Sequence, residues 1–169
     1  YDIYEDASDY GDHPGDVVDE WATISDAGTS IIEIRGNVLD DDDDDWFVVS
    51  ASDDLSADLS AGKDFFNFSV ELTAGVSDYR FVVHRGGTGA GEEECPVLEG
   101  YSDYNWFVED NADGSHSAPS DTRSCRSSDT LGYNDCEDNT SDFYVHVYRM
   151  GSSTVDCDSY ELTITNGVW

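Results

Sequence analysis

Six consecutive aspartates, Asp40 to Asp45, run directly into Trp46-Phe47-Val48-Val49, and metal chemistry is what such a junction could perform. A calcium ion takes about six to eight oxygens at ~2.4 Å, and a turn of aspartates entering a strand offers several of them from one short segment. It cannot complete the shell alone. The N-terminal segment supplies Glu5, Asp6, Asp9 and Asp12 beside Tyr10 and Gly11, which makes it the natural second donor. A buried strand does not readily begin beside so many repelling charges without a counterion. The competing reading is a solvated acidic loop, because like-charge runs repel and stay flexible. Calcium stands ahead of magnesium, since a flexible all-oxygen cage suits the larger ion. The spacing is not that of an EF-hand, which needs a central Gly and a terminal Glu in its loop.

The whole-chain charge points the same way. Seven Lys and Arg against 39 Asp and Glu give a net charge of −32 over 169 residues. Such a field repels nucleic acid and anionic lipid and attracts cations. Too few bases exist to pair the acids, so folding must leave the carboxylates in water or neutralise them with metal. Adaptation to a salty habitat predicts the same Asp-rich, Lys-poor surface. Four Trp, seven Phe and ten Tyr argue against disorder, because disordered acidic segments lack that aromatic content. No run approaches the ~20 apolar residues of a membrane span, so no membrane insertion is expected. No basic and apolar leader stands at Tyr1, so any signal peptide is expected to have been removed.

The elements that must position these acids are strands. Alternation of apolar and polar residues recurs at strand length, and helical periodicity is nearly absent. The expected strands are Ser30 to Gly36, Asp45 to Ala51, Phe65 to Leu72, Tyr79 to Arg85, Tyr104 to Glu109, Asp142 to Arg149 and Ser159 to Asn166. In the sixth, Phe143, Val145, Val147 and Arg149 share the face expected to meet the core. In the last, Tyr160, Leu162 and Ile164 alternate with Glu161, Thr163 and Thr165. Ser60-Ala61-Gly62-Lys63 and Thr73-Ala74-Gly75 read as turns. The length suits one domain: an acidic arm over 1–20, and a sandwich over 21–169 with an insertion from about Gly86 to Asp142.

Cys95, Cys125, Cys136 and Cys157 form an even set without CxxC pairs, which favours two disulfides over a zinc site. Three pairings are possible. Cys125 with Cys136, and Cys95 with Cys157, is the preferred one, and disulfides imply an oxidising, extracellular address.

A family resemblance rests on Gly36-Asn37-Val38-Leu39, the Asp run into Trp46-Phe47, the turn Leu59 to Lys63 and the strand Tyr79-Arg80-Phe81-Val82-Val83. Together with Tyr10-Gly11-Asp12-His13-Pro14-Gly15-Asp16 and the closing pair from Phe143 and Tyr160, these segments resemble the bacterial pre-peptidase C-terminal (PPC) domain. The cysteine-bearing insertion departs from that family's short form, and His13 stands where Thr is usual. The resemblance implies an all-β, jelly-roll-like antiparallel β-sandwich, here with a long disulfide-bonded loop insertion. It also implies secretion, a non-catalytic role beside secreted proteases or surface proteins, and calcium held by the arm and the Asp-x-Asp turn. Asp43 and Asp45 match that turn, and Asp9 and Asp12 match the arm. Asp41 and Glu5 complete the expected ligand set.

Catalytic readings are weak. His13, His84, His116 and His146 are scattered, and no GxSxG or HExxH motif occurs. With so many acids, a carboxylate pair at glycosidase spacing has no weight without geometry. Trp21, Tyr101, Tyr104 and Trp106 could stack on sugar rings, although aromatics on strands more often fill a core. The expected role is a calcium-stabilised extracellular structural module, self-assembling as a homo-oligomer or polymer through its arm or strand edges. The alternatives are a substrate-targeting accessory domain of a secreted hydrolase and a polysaccharide-binding module.

Overall fold

A computed structural model describes residues 22–28, 30–38, 44–61, 65–86, 100–107, 138–151 and 158–167. The strands are β1 (Ala22–Ser25), β2 (Ser30–Gly36), β3 (Asp45–Ser52), β4 (Asn67–Ala74), β5 (Tyr79–Arg85), β6 (Asp103–Phe107), β7 (Ser141–Arg149) and β8 (Tyr160–Asn166). Among the described residues one short helix, α1 (Leu55–Ala61), lies between β3 and β4. One sheet has the order β1-β3-β7-β5 and the other β2-β8-β4-β6. Among the described strands, odd ones therefore lie in one layer and even ones in the other, and each described strand is followed by one in the opposite layer. All strand pairings are antiparallel except β1 on β3, which is parallel.

Period-2 alternation builds the core. Phe143, Val145 and Val147 on β7 face Tyr160, Leu162 and Ile164 on β8, with Phe47, Val49, Phe68, Val70, Phe81 and Val83 around them, all buried. The two layers touch where the rings of Phe68 and Phe143 stack with centroids 3.8 Å apart. Removing each such side chain from water contributes roughly 1.5–3 kcal/mol, so this interior is the main source of stability.

The outer faces differ. On the even sheet Ser69 and Thr165 share a hydrogen bond of 2.6 Å and Arg35 pairs with Glu161 at 2.7 Å, which makes a wet surface. On the odd sheet Trp46, Val48 and His84 are buried, and the Trp46 ring stacks on His146 at 4.2 Å with an interplanar angle of 7°. Strand β3 is thus covered on both faces, as the unbroken apolar run Trp46 to Val49 predicts.

Four features depart from the sequence reading. Strand β1 was not expected. The region read as a turn at Ser60 belongs to α1, whose start is capped by Asp54: its Oδ1 accepts from the amides of Ser56 and Ala57, each at 3.1 Å. The fourth strand begins at Asn67, and Phe65 and Phe66 precede it. Strand β6 starts at Asp103. The arm, the Asp40 to Asp43 stretch and most of the insertion fall outside the described residues.

Gly36 ends β2 where two layers close on each other. A Cβ there would lie 2.4 Å from the Tyr160 hydroxyl and 2.9 Å from Asp45 Oδ2. Gly36→Ala should therefore cost about 1–3 kcal/mol, as overpacked cores do, measured by urea unfolding. A double-mutant cycle with Tyr160→Phe, which removes the obstructing hydroxyl, should show coupling between the two sites.

Candidate metal centre

The described acids converge at the end of the sandwich where β1 and β3 finish. Asp26 follows β1 in a turn, Asp53 follows β3, and Asp58 lies in α1. One carboxyl oxygen from each falls within 4.8 Å of the other two. Two oxygens bound to one calcium at ~2.4 Å can be at most about 4.8 Å apart, so the spacing satisfies the geometric condition for a shared ion.

Each carboxylate also has a structural task. Asp26 Oδ1 accepts from the Asp54 amide at 2.7 Å, Asp53 Oδ2 from the Asn139 amide at 2.8 Å, and Asp58 Oδ1 from the Phe65 amide at 3.1 Å. Three chain segments are thereby tied to one cluster: the start of α1, the approach to β7 and the approach to β4. Thr140 Oγ1 returns the contact by accepting from the Asp53 amide at 3.0 Å. Asp26 is held in turn by its own amide, which donates to Ser52 O at 3.2 Å. Gly167, at φ +73°, lies so close that a Cβ would stand 2.7 Å from Asp26 Cα.

The remaining oxygens of Asp26 and Asp53, Oδ2 and Oδ1, are buried and accept no hydrogen bond. Asp26 is 5% exposed and Asp58 0%. Two ionised carboxylates at this separation repel by on the order of 3–4 kcal/mol at the effective dielectric of a protein site. The Asp26 carboxyl responds: its pKa is pushed from 3.8 up to about 6, first by burial and then by the charges of Asp53 and Asp54, against the hydrogen bond from the Asp54 amide. A cluster of this kind holds either a proton or a cation.

The sequence singled out a different place. Of its expected ligands only Asp45 is described, and it sits at the opposite end of β3 from Asp53. It faces the core, 1% exposed, with Oδ2 accepting from the Tyr160 hydroxyl at 2.5 Å. Asp44 beside it pairs with His146 Nε2 at 3.1 Å. Asp41, Asp43, Asp9, Asp12 and Glu5 lie outside the described residues, as do Cys95, Cys125, Cys136 and Cys157. Of the aromatics considered for sugar stacking, Tyr104 is buried in the core and Tyr101 packs partly against it. Asp26, Asp53 and Asp58 were missed because each resembles an ordinary turn or helix acid. The readable part of the signal was the acid pair Asp53-Asp54 just past the expected end of a strand; the inward turn of Asp58, with Leu55 and Leu59 exposed, was not.

A sign follows for pH. Because the folded-state pKa of Asp26 is raised to about 6, its contribution is full below pH 4 and is lost as pH rises through about 6, a change of roughly 3 kcal/mol. In chelator, the melting temperature should therefore rise as pH falls from 7 toward 5. Asp26→Asn should remove most of that slope and raise the melting temperature at pH 7 in chelator. An unchanged slope in Asp26→Asn would assign the titration elsewhere.

Comparisons with protein-family models, with characterised proteins and with solved structures each give no match.

Proposed function

We propose that this chain is a non-catalytic, secreted structural module whose β-sandwich is locked by a divalent cation, calcium, in the cage of Asp26, Asp53 and Asp58, and which works by assembling with copies of itself. The carrying observation is the cage: three acids on separate segments, two of them almost wholly buried, with oxygens within 4.8 Å of one another. Groups so enclosed suit an ion better than a substrate. All donors are hard oxygens, as calcium requires.

The cation would neutralise the repulsion that the fold concentrates there, and so fasten the β1 turn, the start of α1 and the approach to β7 together. The neighbour order of the described strands, β2-β8-β4-β6 against β3-β7-β5, supports a jelly-roll-like reading of the sandwich. The pairing of Cys125 with Cys136 and of Cys95 with Cys157, and the extracellular address, belong to the same proposal. A net charge of −32 favours a calcium-rich or saline exterior, where such a surface is screened.

The test is a melting curve of the full chain with calcium and with EDTA. Saturation at about a hundred times Kd adds ~2.7 kcal/mol, which for a chain of this size raises the melting temperature by roughly 5–10 °C. Asp53→Asn and Asp58→Asn should each abolish most of the rise. A melting temperature indifferent to calcium, in a chain that remains folded, would sink the cation reading.

A further inference from the structure

Among the described residues, β2 is an edge: β8 pairs along one side and no described strand along the other. Natural edge strands are usually blunted by bulges, prolines, lysines or shortness. Strand β2 carries no proline or lysine, runs to seven residues, and its two charged residues are of opposite sign. It is Ser-Ile-Ile-Glu-Ile-Arg-Gly, and all seven residues pair with β8 without a break in register. Its outward face carries Ile31, 58% exposed, followed by Glu33 and the Arg35 side chain, 60% exposed. On its inward face Ile32 is only partly buried against the core.

We propose that β2 pairs antiparallel with β2 of a second copy across a two-fold axis at Ile34, setting Glu33 of each chain opposite Arg35 of the other. This deepens the assembling-module reading above and rests on it. Continuity of the two sheets requires inward residues to meet inward residues, because a slip of one flips every side chain to the other face. Of the registers that obey this, the one centred on Glu33 opposes two glutamates, and the one centred on Arg35 opposes two arginines. Like charges directly opposite are unfavourable in a sheet. The register centred on Ile34 instead gives two opposite-charge pairs.

The placement of Arg35 adds weight. The chain has seven Lys and Arg against 39 acids, so a base on an exposed edge strand is a scarce resource. Arg35 already meets Glu161 at 2.7 Å within its own sheet. Arg35 makes further contacts within its own chain, and a guanidinium, with five donors in a planar fork, serves several acceptors at once.

The experiment is sedimentation equilibrium of the full chain at ~0.15 M salt with calcium, where screening beyond about 8 Å limits the repulsion of two acidic bodies. A monomer–dimer equilibrium is expected. Glu33→Arg and Arg35→Glu should each weaken it by at least about tenfold, and the charge exchange carrying both should restore it to within about threefold. Melting curves of the same samples show that each variant is folded. A chain that is monomeric at every concentration overturns the proposal, and so does a dimer indifferent to the two single reversals. A monomer that still gains melting temperature with calcium overturns the β2 pairing alone. A charge-sensitive dimer with no calcium response overturns the cation reading alone.

Discussion

Mutual repulsion among carboxylates brought into one enclosed space is the constraint on which this end of the molecule depends. Asp26, Asp53 and Asp58 are there because three backbone amides from other segments need acceptors, and a buried amide without one is costly. Supplying acceptors as charged groups gives strong hydrogen bonds, but it gathers negative charge where water cannot dilute it. The local fold and the electrostatic cost are therefore one arrangement. Anything that neutralises the second oxygen of Asp26, whether a proton or a cation, relieves the repulsion among the acids, at the expense of a somewhat weaker hydrogen bond from the Asp54 amide.

Much of the architecture was legible because most strands bury one face only. Ser30–Gly36 and Tyr79–Arg85 are found with the bounds that alternation predicts, and β7 and β8 differ by one residue at their starts. The failures have specific causes. Strand β1 has four residues, a single buried one at Ile24, and a parallel partner that no hairpin turn announces. Helix α1 inverts the usual pattern, with Asp58 inward and Leu59 63% exposed, so hydrophobic periodicity cannot reveal it. The cage was hidden for a related reason. Its members are 27 and 5 positions apart in the chain, and only the parallel pairing of β1 with β3, Ser25 beside Ser52, brings Asp26 to the end of β3. A conspicuous run of acids drew attention to the other end of that strand.

The two ends of β3 show that burial alone does not make an acid a candidate metal ligand. Asp45 is as enclosed as Asp26, yet the Tyr160 hydroxyl donates to it. Asp26 has only a backbone donor on one oxygen, and two further acids nearby. A phenol satisfies a carboxyl group without adding charge, whereas a second carboxylate must be offset by a proton or a cation. Neighbours, more than depth, separate a structural acid from a cation site.

Asp45 and Asp53 also bracket a mainly apolar strand, Trp46 to Ala51 with Ser50 its one polar residue, that runs through the middle of its sheet. Moving β3 by two residues in either direction would keep its faces correct, the usual loophole in strand pairing. Here that movement would drag one carboxyl group toward the aliphatic centre and strip the other from its partners. The acids thus act as stops at the two ends of a sliding rail, and they give a central strand of interchangeable apolar residues a single permitted alignment.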